Sequence, residues 1–563
     1  MGPPQPLVDN FRWAHESVAW MKMHAKSTWF FETRDLPLSS WFSGYGCSEL
    51  AAGFLNAARR RVAGEDEKDS DAFSAAHQFE INVKARTAAK EQLPEHSCQF
   101  VDIMRILNDD DRKKLLKMEK DETKGEKDFW DFLKTVDLST HSLCAKHCES
   151  CELTMSILNV TGSQRVHYST LGKKQDGHLQ KNEGFLSDYL KEKAEAFGYK
   201  HLGTMRATGA DCNLQVNSRK RVYDVLILEQ FFEVVDDPVE VYQRISAFLQ
   251  EKLQPVTMGH VCWATDLKDI LHEVQENYNK SCGLSLTEVS DIFSNGDGDW
   301  LKLLSKTERD NYANYLEKLE MTDIPTMKRE ARGVCVAQNP DVVCMSGSAE
   351  ALPAFTREST KRIMMTNKDR WILALEKLAI SGFPVHKDLA EAAGVPLIQI
   401  EKFDGWHRCV GNGMIIPNVG VAIAAVMSSL KPLPALQAYL EKALTQRSMQ
   451  GIPQSLKWHG GWKKWTLEIS GTTHQFSNRE DALAAAKWAK HTRASLEIQT
   501  RDQLKPEIVA AAVKGGKKNK DDMVECVLRL RYRKSGFNCS CCNEAWCIYI
   551  YIHVFPLSLE FRQ

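Results

Sequence analysis

From Trp41 to about Leu228, short apolar runs alternate with amphipathic stretches. The runs LSSWFSG, CQFVDI, MSILNVTG and VYDVLIL are rich in β-formers, while SELAAGFLNAARRR and FLSDYLKEKAEAFGY repeat their apolar residues at helical spacing. Strands separated by helices of that length predict βαβ units and an α/β, doubly wound, Rossmann-like sheet. The stretch from about Glu229 to Ala349 is mostly helical by periodicity and carries turn signals such as SNGDGDW. Its NGDGD lacks the glycine and the distal glutamate of a calcium loop, so it reads as a turn. A further structured block, Ala351 to Lys431, ends in VGVAIAAVMSSL, predicted as a helix with one apolar face. A break near Leu433 and Pro453 precedes a small module, Leu456 to His491, and the lysine-rich GGKKNKDD beyond Val513 reads as a linker. The closing NCSCCNEAWCIYIYIHVFPLSLEFRQ fits neither helical nor strand patterning well. It reads as a poorly ordered tail or an artefact of gene prediction, with no function assigned.

Composition narrows this only slightly. The 563 residues allow two or three domains, and 43% hydrophobic content can bury a substantial core. Lysine and arginine total 73 against 74 acidic residues, a net charge of -1, so nucleic-acid binding would need local basic patches. There is no run of eighteen apolar residues and no apolar core in MGPPQPLVDNFRW, which predicts a soluble, intracellular chain without membrane contact. Sixteen irregularly spaced cysteines fit a reducing compartment better than a disulfide framework.

Candidate chemistry begins at WFSGYGCSE, Trp41 to Glu49, where Gly44 and Gly46 let the backbone approach a ligand at the end of the first strand. FEINVKAR then sets Glu80 where a second strand should end, and a carboxylate there can accept from both hydroxyls of a ribose. A third strand, CQFVDI, ends at Asp102. Together these describe an adenosine site, which a nicotinamide nucleotide would also fit.

Taken in order, the segments from about Ser39 to Leu430 resemble the DNA cytosine-5 methyltransferases. The resemblance implies that Phe42, Gly44, Gly46 and Glu49 meet S-adenosylmethionine, with Glu80 and Asp102 at its ribose and adenine. NSRKRVY, Asn217 to Tyr223, is similar to the family's glutamine-x-arginine-x-arginine motif, which would give Arg219 and Arg221 the target base and a backbone phosphate. Without the resemblance, two arginines at that spacing read as a solvated strand face. LPAFTRES at Leu352 to Ser359 resembles the segment after the family's recognition region, and ILALEKLAISGFP, Ile372 to Pro384, its helix ending in glycine-phenylalanine-proline. GNGMIIPNVGVAIA, Gly411 to Ala424, looks like the closing motif, in which Asn412 would complete the cofactor pocket.

Methylating C5 of cytosine requires a thiolate to add to C6 of a flipped-out base, making the ring an enamine that attacks the methyl sulfonium. In the family, a proline-cysteine loop after the fourth strand supplies that thiolate. Here the loop reads TGSQRVHYSTLGKK, with Gly162, Tyr168 and Ser169 matching and with Gln164 and Arg165 in the places of proline and cysteine. An arginine is protonated at any accessible pH and is no nucleophile. The family's glutamate-asparagine-valine motif, with its helix and strand, has no room between Gly172 and Phe185, where KNEGF offers Glu183 only as an accidental match. Losing that strand exposes its neighbours' edges, so either the sheet is truncated or an exon is missing.

HSLCAKHCESC holds Cys144, Cys148 and Cys151 with His141 and His147, enough ligand types for zinc, although a helix carrying unpaired thiols is the reading adopted and no metal is assigned. Cys47 reads as a packing residue in the cofactor turn. GGWKKWTLEISGTTHQFSNREDALAAAKWAKH, Gly460 to His491, predicts two or three strands and a helix. It loosely resembles the plant ethylene-response DNA-binding domain, with Trp462, Lys463, Lys464 and Trp465 as its contact set. The plainer alternative is a small αβ accessory module with a tryptophan core.

The resulting division is an N-terminal extension, 1–38; a cofactor and catalytic half, 39–228; a recognition-like region, 229–349; a closing segment, 350–432; a small α+β module, 433–500; and a linker and tail, 501–563. The resemblance implies S-adenosylmethionine as cofactor, DNA as partner and the nucleus as location. It leaves two readings: a cytosine-5 methyltransferase, or a regulatory pseudoenzyme that keeps the cofactor pocket. An RNA acceptor is a third.

Overall fold

The computed structural model describes residues 2–41, 45–64, 71–80, 83–90, 93, 97–119, 128, 132, 135–136, 141–147, 150–153, 156–165, 199–217, 221–266, 270–271, 286–294, 299–320, 331–341, 351–353, 362–399, 414–436, 438, 456–459, 464–469, 472–476 and 547–554. The chain divides into two compact units, one comprising 1–433 with 544–563 and the other 434–543.

The first unit is built on a seven-stranded sheet. Strands β1 (Leu36–Trp41), β2 (Phe73–Phe79) and β3 (Cys98–Phe100) are followed by a hairpin of β4 (His141–Leu143) and β5 (Ser150–Glu152), then by β6 (Leu158–Arg165), β7 (Tyr199–Ala207) and β8 (Arg221–Leu228). The sheet order is β3-β2-β1-β6, then a C-terminal strand Cys547–Val554, then β8 and β7. The first four strands are mutually parallel, an arrangement compatible with a Rossmann-like core. The remainder is mixed: the C-terminal strand runs antiparallel to β6 and parallel to β8, and β7 is antiparallel to β8.

The sequence pattern predicts exposed edges where the family's extra strand has no room. Instead, Cys547–Val554 fills the gap between β6 and β8, with Ile550 opposite Gly162 on one side and Tyr223 on the other. The reading of this segment as patternless tail is corrected. CIYIYIHV is apolar or aromatic throughout but for His553, a pattern that suits a central strand.

Four helices pack on one another beside the sheet: Trp13–His24, Cys47–Ala63, Pro238–Lys252 and Ile416–Ser429. All fourteen residues of the last are buried, so this helix is enclosed on every side rather than on one face. The N-terminal residues are therefore no appendage. Trp13 is fully buried, stacks on Phe54 at 5.6 Å and lies against Gly420, while Asn10 Nδ2 donates to the Cys212 carbonyl at 2.6 Å.

Residues just past 228 also belong to this layer rather than to a separate recognition region. Phe232–Val234 pairs antiparallel with Leu430–Pro432, and helix Pro238–Lys252 starts at an Asp237 cap whose side chain accepts from the Val239 and Glu240 amides. The cysteine-rich segment folds as the β4–β5 hairpin, not as the predicted helix. Among the described residues, no helix is long and apolar enough to cross a membrane. In the second unit, Leu456–His459, Lys464–Ile469 and Thr472–Phe476 form an antiparallel three-stranded sheet. Trp462 and Lys463 lie outside the described residues, and Lys464 and Trp465 open its middle strand.

Candidate functional site

The carboxyl ends of β1, β2 and β3 lie side by side, because the three strands are parallel neighbours. Past β1 the backbone reaches Gly46 at φ 77°, a left-handed conformation that favours glycine, immediately before helix Cys47–Ala63. Glu49 sits in the first turn of that helix, partly buried, and Ser40 at the end of β1 donates its hydroxyl to Glu49 Oε1. Glu49 Oε2 has no hydrogen-bond partner among the described residues. Burial pushes this carboxyl up to about 7, against the opposing pull of the Ser40 hydrogen bond.

A second orphan lies near the same glycine. Gln78, next to last in β2, accepts from Gln99 Nε2 at 2.8 Å through its own Oε1, while its Nε2 is buried without a partner among the described residues. A Cβ placed on Gly46 would lie 3.7 Å from both Gln78 Nε2 and Glu49 Oε2. An unused donor and an unused acceptor therefore lie close to one glycine, and buried polar atoms in native proteins nearly always find partners. Gln78 and Gln99 were not singled out from the sequence. Their signal is an amide inside an otherwise apolar strand, FSAAHQF and CQF.

Glu80 follows β2 directly, buried, with its amide donating to the Phe100 carbonyl at 3.1 Å and its carbonyl accepting from Arg86 at 2.7 Å. Asp102 lies two residues past β3. Gly46, Glu49, Glu80 and Asp102 thus share one rim. Phe42, Gly44 and Asn412 lie outside the described residues, but Met414, two residues beyond Asn412, hydrogen-bonds the Cys47 thiol through its backbone.

The proposed catalytic positions are arranged differently. Arg165 ends β6 opposite Cys547, so the strand continues through the position expected in the loop. Tyr168, Ser169, Glu183 and Arg219 lie outside the described residues. Arg221 opens β8 and is 3% exposed, and its charge is felt by Cys47 and Tyr223. Its guanidinium is therefore in the interior rather than on a solvated strand face. Asn217 pairs with Leu352, whose amide donates to the Val216 carbonyl at 2.8 Å, which joins the starts of NSRKRVY and LPAFTRES. Cys47 cannot replace the missing nucleophile: it is fully buried, and burial pushes its thiol up to about 12.

A cavity of about 310 Å³ lies between β7 and helix Pro238–Lys252, lined by Thr204, Arg206, Asp211 and Tyr242. It stands at the opposite edge of the sheet from β3 and is no part of this rim. Compared with known proteins, the chain matches no family model and no curated protein.

Proposed function

We propose that this chain binds S-adenosylmethionine at the rim of β1, β2 and β3 and is a cytosine-5 methyltransferase-like protein with DNA as acceptor, working in the nucleus. The observation that carries the cofactor reading is the pair of orphaned atoms, Glu49 Oε2 and Gln78 Nε2, each 3.7 Å from where a Cβ on Gly46 would lie. The methionine end of the cofactor offers an ammonium for the first and a carboxylate for the second. Glu80 would hold the ribose hydroxyls and Asp102 the adenine, as the sequence resemblance implies. When bound, the cofactor would supply the methyl group. The helix that begins at Cys47 presents its amino end to the same turn, which favours the carboxylate.

Arg165 favours a second reading, a regulatory protein that keeps the cofactor pocket without methyl transfer. Titration calorimetry with S-adenosylmethionine tests what the two readings share. Binding is expected, with Asp102→Ala weakening it about tenfold or more, as for a lost hydrogen bond to a charged group. Absence of binding by the folded chain rejects both. Transfer of a tritiated methyl group to DNA then separates them: turnover by the unaltered chain supports the enzyme, and turnover only after Arg165→Cys supports the regulatory protein.

A further inference from the structure

The cysteine-rich hairpin gathers a set of ligands that the chain's spacing alone does not reveal. Cys144 follows β4, His147 lies in the turn and Cys151 lies in β5, while the fourth member, Cys98, comes from the start of β3 some forty-six residues earlier. Their three sulfurs and the His147 nitrogen all lie within 4.8 Å of one another. His147 Nδ1 is 3.6 Å from Cys98 Sγ, 3.5 Å from Cys144 Sγ and 3.3 Å from Cys151 Sγ. A tetrahedral zinc with bonds of about 2.3 Å to sulfur and about 2.0 Å to nitrogen would separate nitrogen from sulfur by about 3.5 Å. One ring nitrogen equidistant from three sulfurs has little reason to exist as a hydrogen-bonding arrangement, since a single N–H can serve only one of them well.

We propose that Cys98, Cys144, His147 and Cys151 bind one structural Zn²⁺. Three thiolates and an imidazole fill the tetrahedron, leave no open position, and select zinc over the hard cations. The backbone supports the ligand charge: the Gln99 amide donates to Cys144 Sγ at 3.3 Å and the His147 amide at 3.5 Å. Zinc uptake displaces any remaining thiol protons to solvent.

The metal would have a definite structural task. β3 is the outer strand of the sheet, and the hairpin already touches it through the Phe100–Cys144 bridge and through the Ala145 amide, which donates to Gln99 at 2.6 Å. A zinc would clamp the hairpin over that edge and anchor the short strand that leads to Asp102. This site does not depend on what the rim binds.

The test is metal content of the full-length chain produced with Zn²⁺ in the medium. One zinc per chain is expected, lost in Cys144→Ser and in Cys151→Ser but kept in Cys335→Ser and in a variant with serine at Cys539, Cys541 and Cys542. Replacement by Co²⁺ should give the thiolate-to-metal charge-transfer and tetrahedral ligand-field bands. Because a serine variant can fail to fold, the unaltered chain is also alkylated with and without a chelator. Cys98, Cys144 and Cys151 should be protected until the chelator is added. A folded chain with no stoichiometric zinc and no cobalt bands overturns the proposal, as does a disulfide between any two of these cysteines, zinc retained after Cys144→Ser, or labelling indifferent to the chelator.

Discussion

The Ser40 hydroxyl donates to Glu49 Oε1 across the glycine turn, from the end of β1 to the first turn of the next helix. It stabilises the ionised form of a carboxyl that burial disfavours, and burial prevails, leaving the group raised to about 7. An ammonium at Glu49 Oε2 needs the ionised form. Affinity for S-adenosylmethionine is therefore expected to rise with pH up to about 7 and to level off above it. Glu49→Gln should flatten the profile, and Ser40→Ala should move the rise to higher pH. Calorimetry across the range decides, and a flat profile for the unaltered chain would remove Glu49 from the site.

Without ligand, the same group should act on stability in the opposite sense. Its carboxyl is raised from an ordinary 4.5 to about 7, so the folded state holds the proton more tightly than the unfolded state. The contribution is fully present below 4.5 and is lost as the pH rises through 7, at up to about 1.4 kcal/mol per pH unit in between. Urea denaturation of the apo protein and of Glu49→Gln should differ by this slope. Parallel pH dependences would contradict it.

Two glycines in buried helices should respond oppositely to the same substitution. A Cβ on Gly420 would come 1.9 Å from Trp13 Cη2 and 2.3 Å from Cζ3, and Trp13 is fully buried and stacked on Phe54. Gly420→Ala is expected to cost about 1–3 kcal/mol through overpacking, which outweighs the gain in helix propensity. Gly53, inside helix Cys47–Ala63, has nothing within 4 Å of its Cβ position, and Gly53→Ala should stabilise by up to about 1 kcal/mol. Thermal denaturation of the two variants checks the signs.

The parallel half of the sheet was legible because each of its signals is local. The apolar run before WFSGYG, the polar end of CQFVD and the amphipathic SELAAGFLNAARRR all appear as a strand end or a helix, and Glu80 and Asp102 follow β2 and β3 as their positions suggested. What was not legible depends on partners distant in sequence. Cys98 joins Cys144, His147 and Cys151 only because β3 pairs with the hairpin, and no spacing rule links residue 98 to 144. Gln78 gains meaning only beside Glu49, and the burial of Arg221 only beside Cys47. The helix expected at HSLCAKHCESC failed for a related reason: nine of its eleven residues are polar or sulfur-bearing and offer little apolar periodicity, and pairing with β3 settled their conformation.

Glu376 is the polar anchor between the middle of the chain and the closing segment. It is fully buried, grips Arg370 through both oxygens at 2.7 and 3.0 Å, and accepts from the Trp263, Ala264 and Leu373 amides. Removing it strands a buried guanidinium and three amides. Glu376→Ala is expected to cost about 3–5 kcal/mol. The double replacement Arg370→Met with Glu376→Leu should recover part of that loss by removing both charges. Denaturation midpoints for the single and double variants test this, and a single variant within about 1 kcal/mol of the unaltered chain would contradict it.

The C-terminal strand carries the strongest demand on the fold. Cys547–Val554 stands between β6 and β8, so its removal would leave two long rows of backbone donors and acceptors without partners in the middle of the sheet. A chain ending at Asn543 is expected to aggregate, and Ile550→Pro, which deletes an amide inside the ladder, to cost about 3 kcal/mol or more. Co-expression of residues 544–563 as a separate peptide should restore soluble protein, because the gap left between β6 and β8 accepts an added strand. If the shortened chain instead stays soluble and melts like the full chain, β6 and β8 must close on each other directly, and the tail is dispensable.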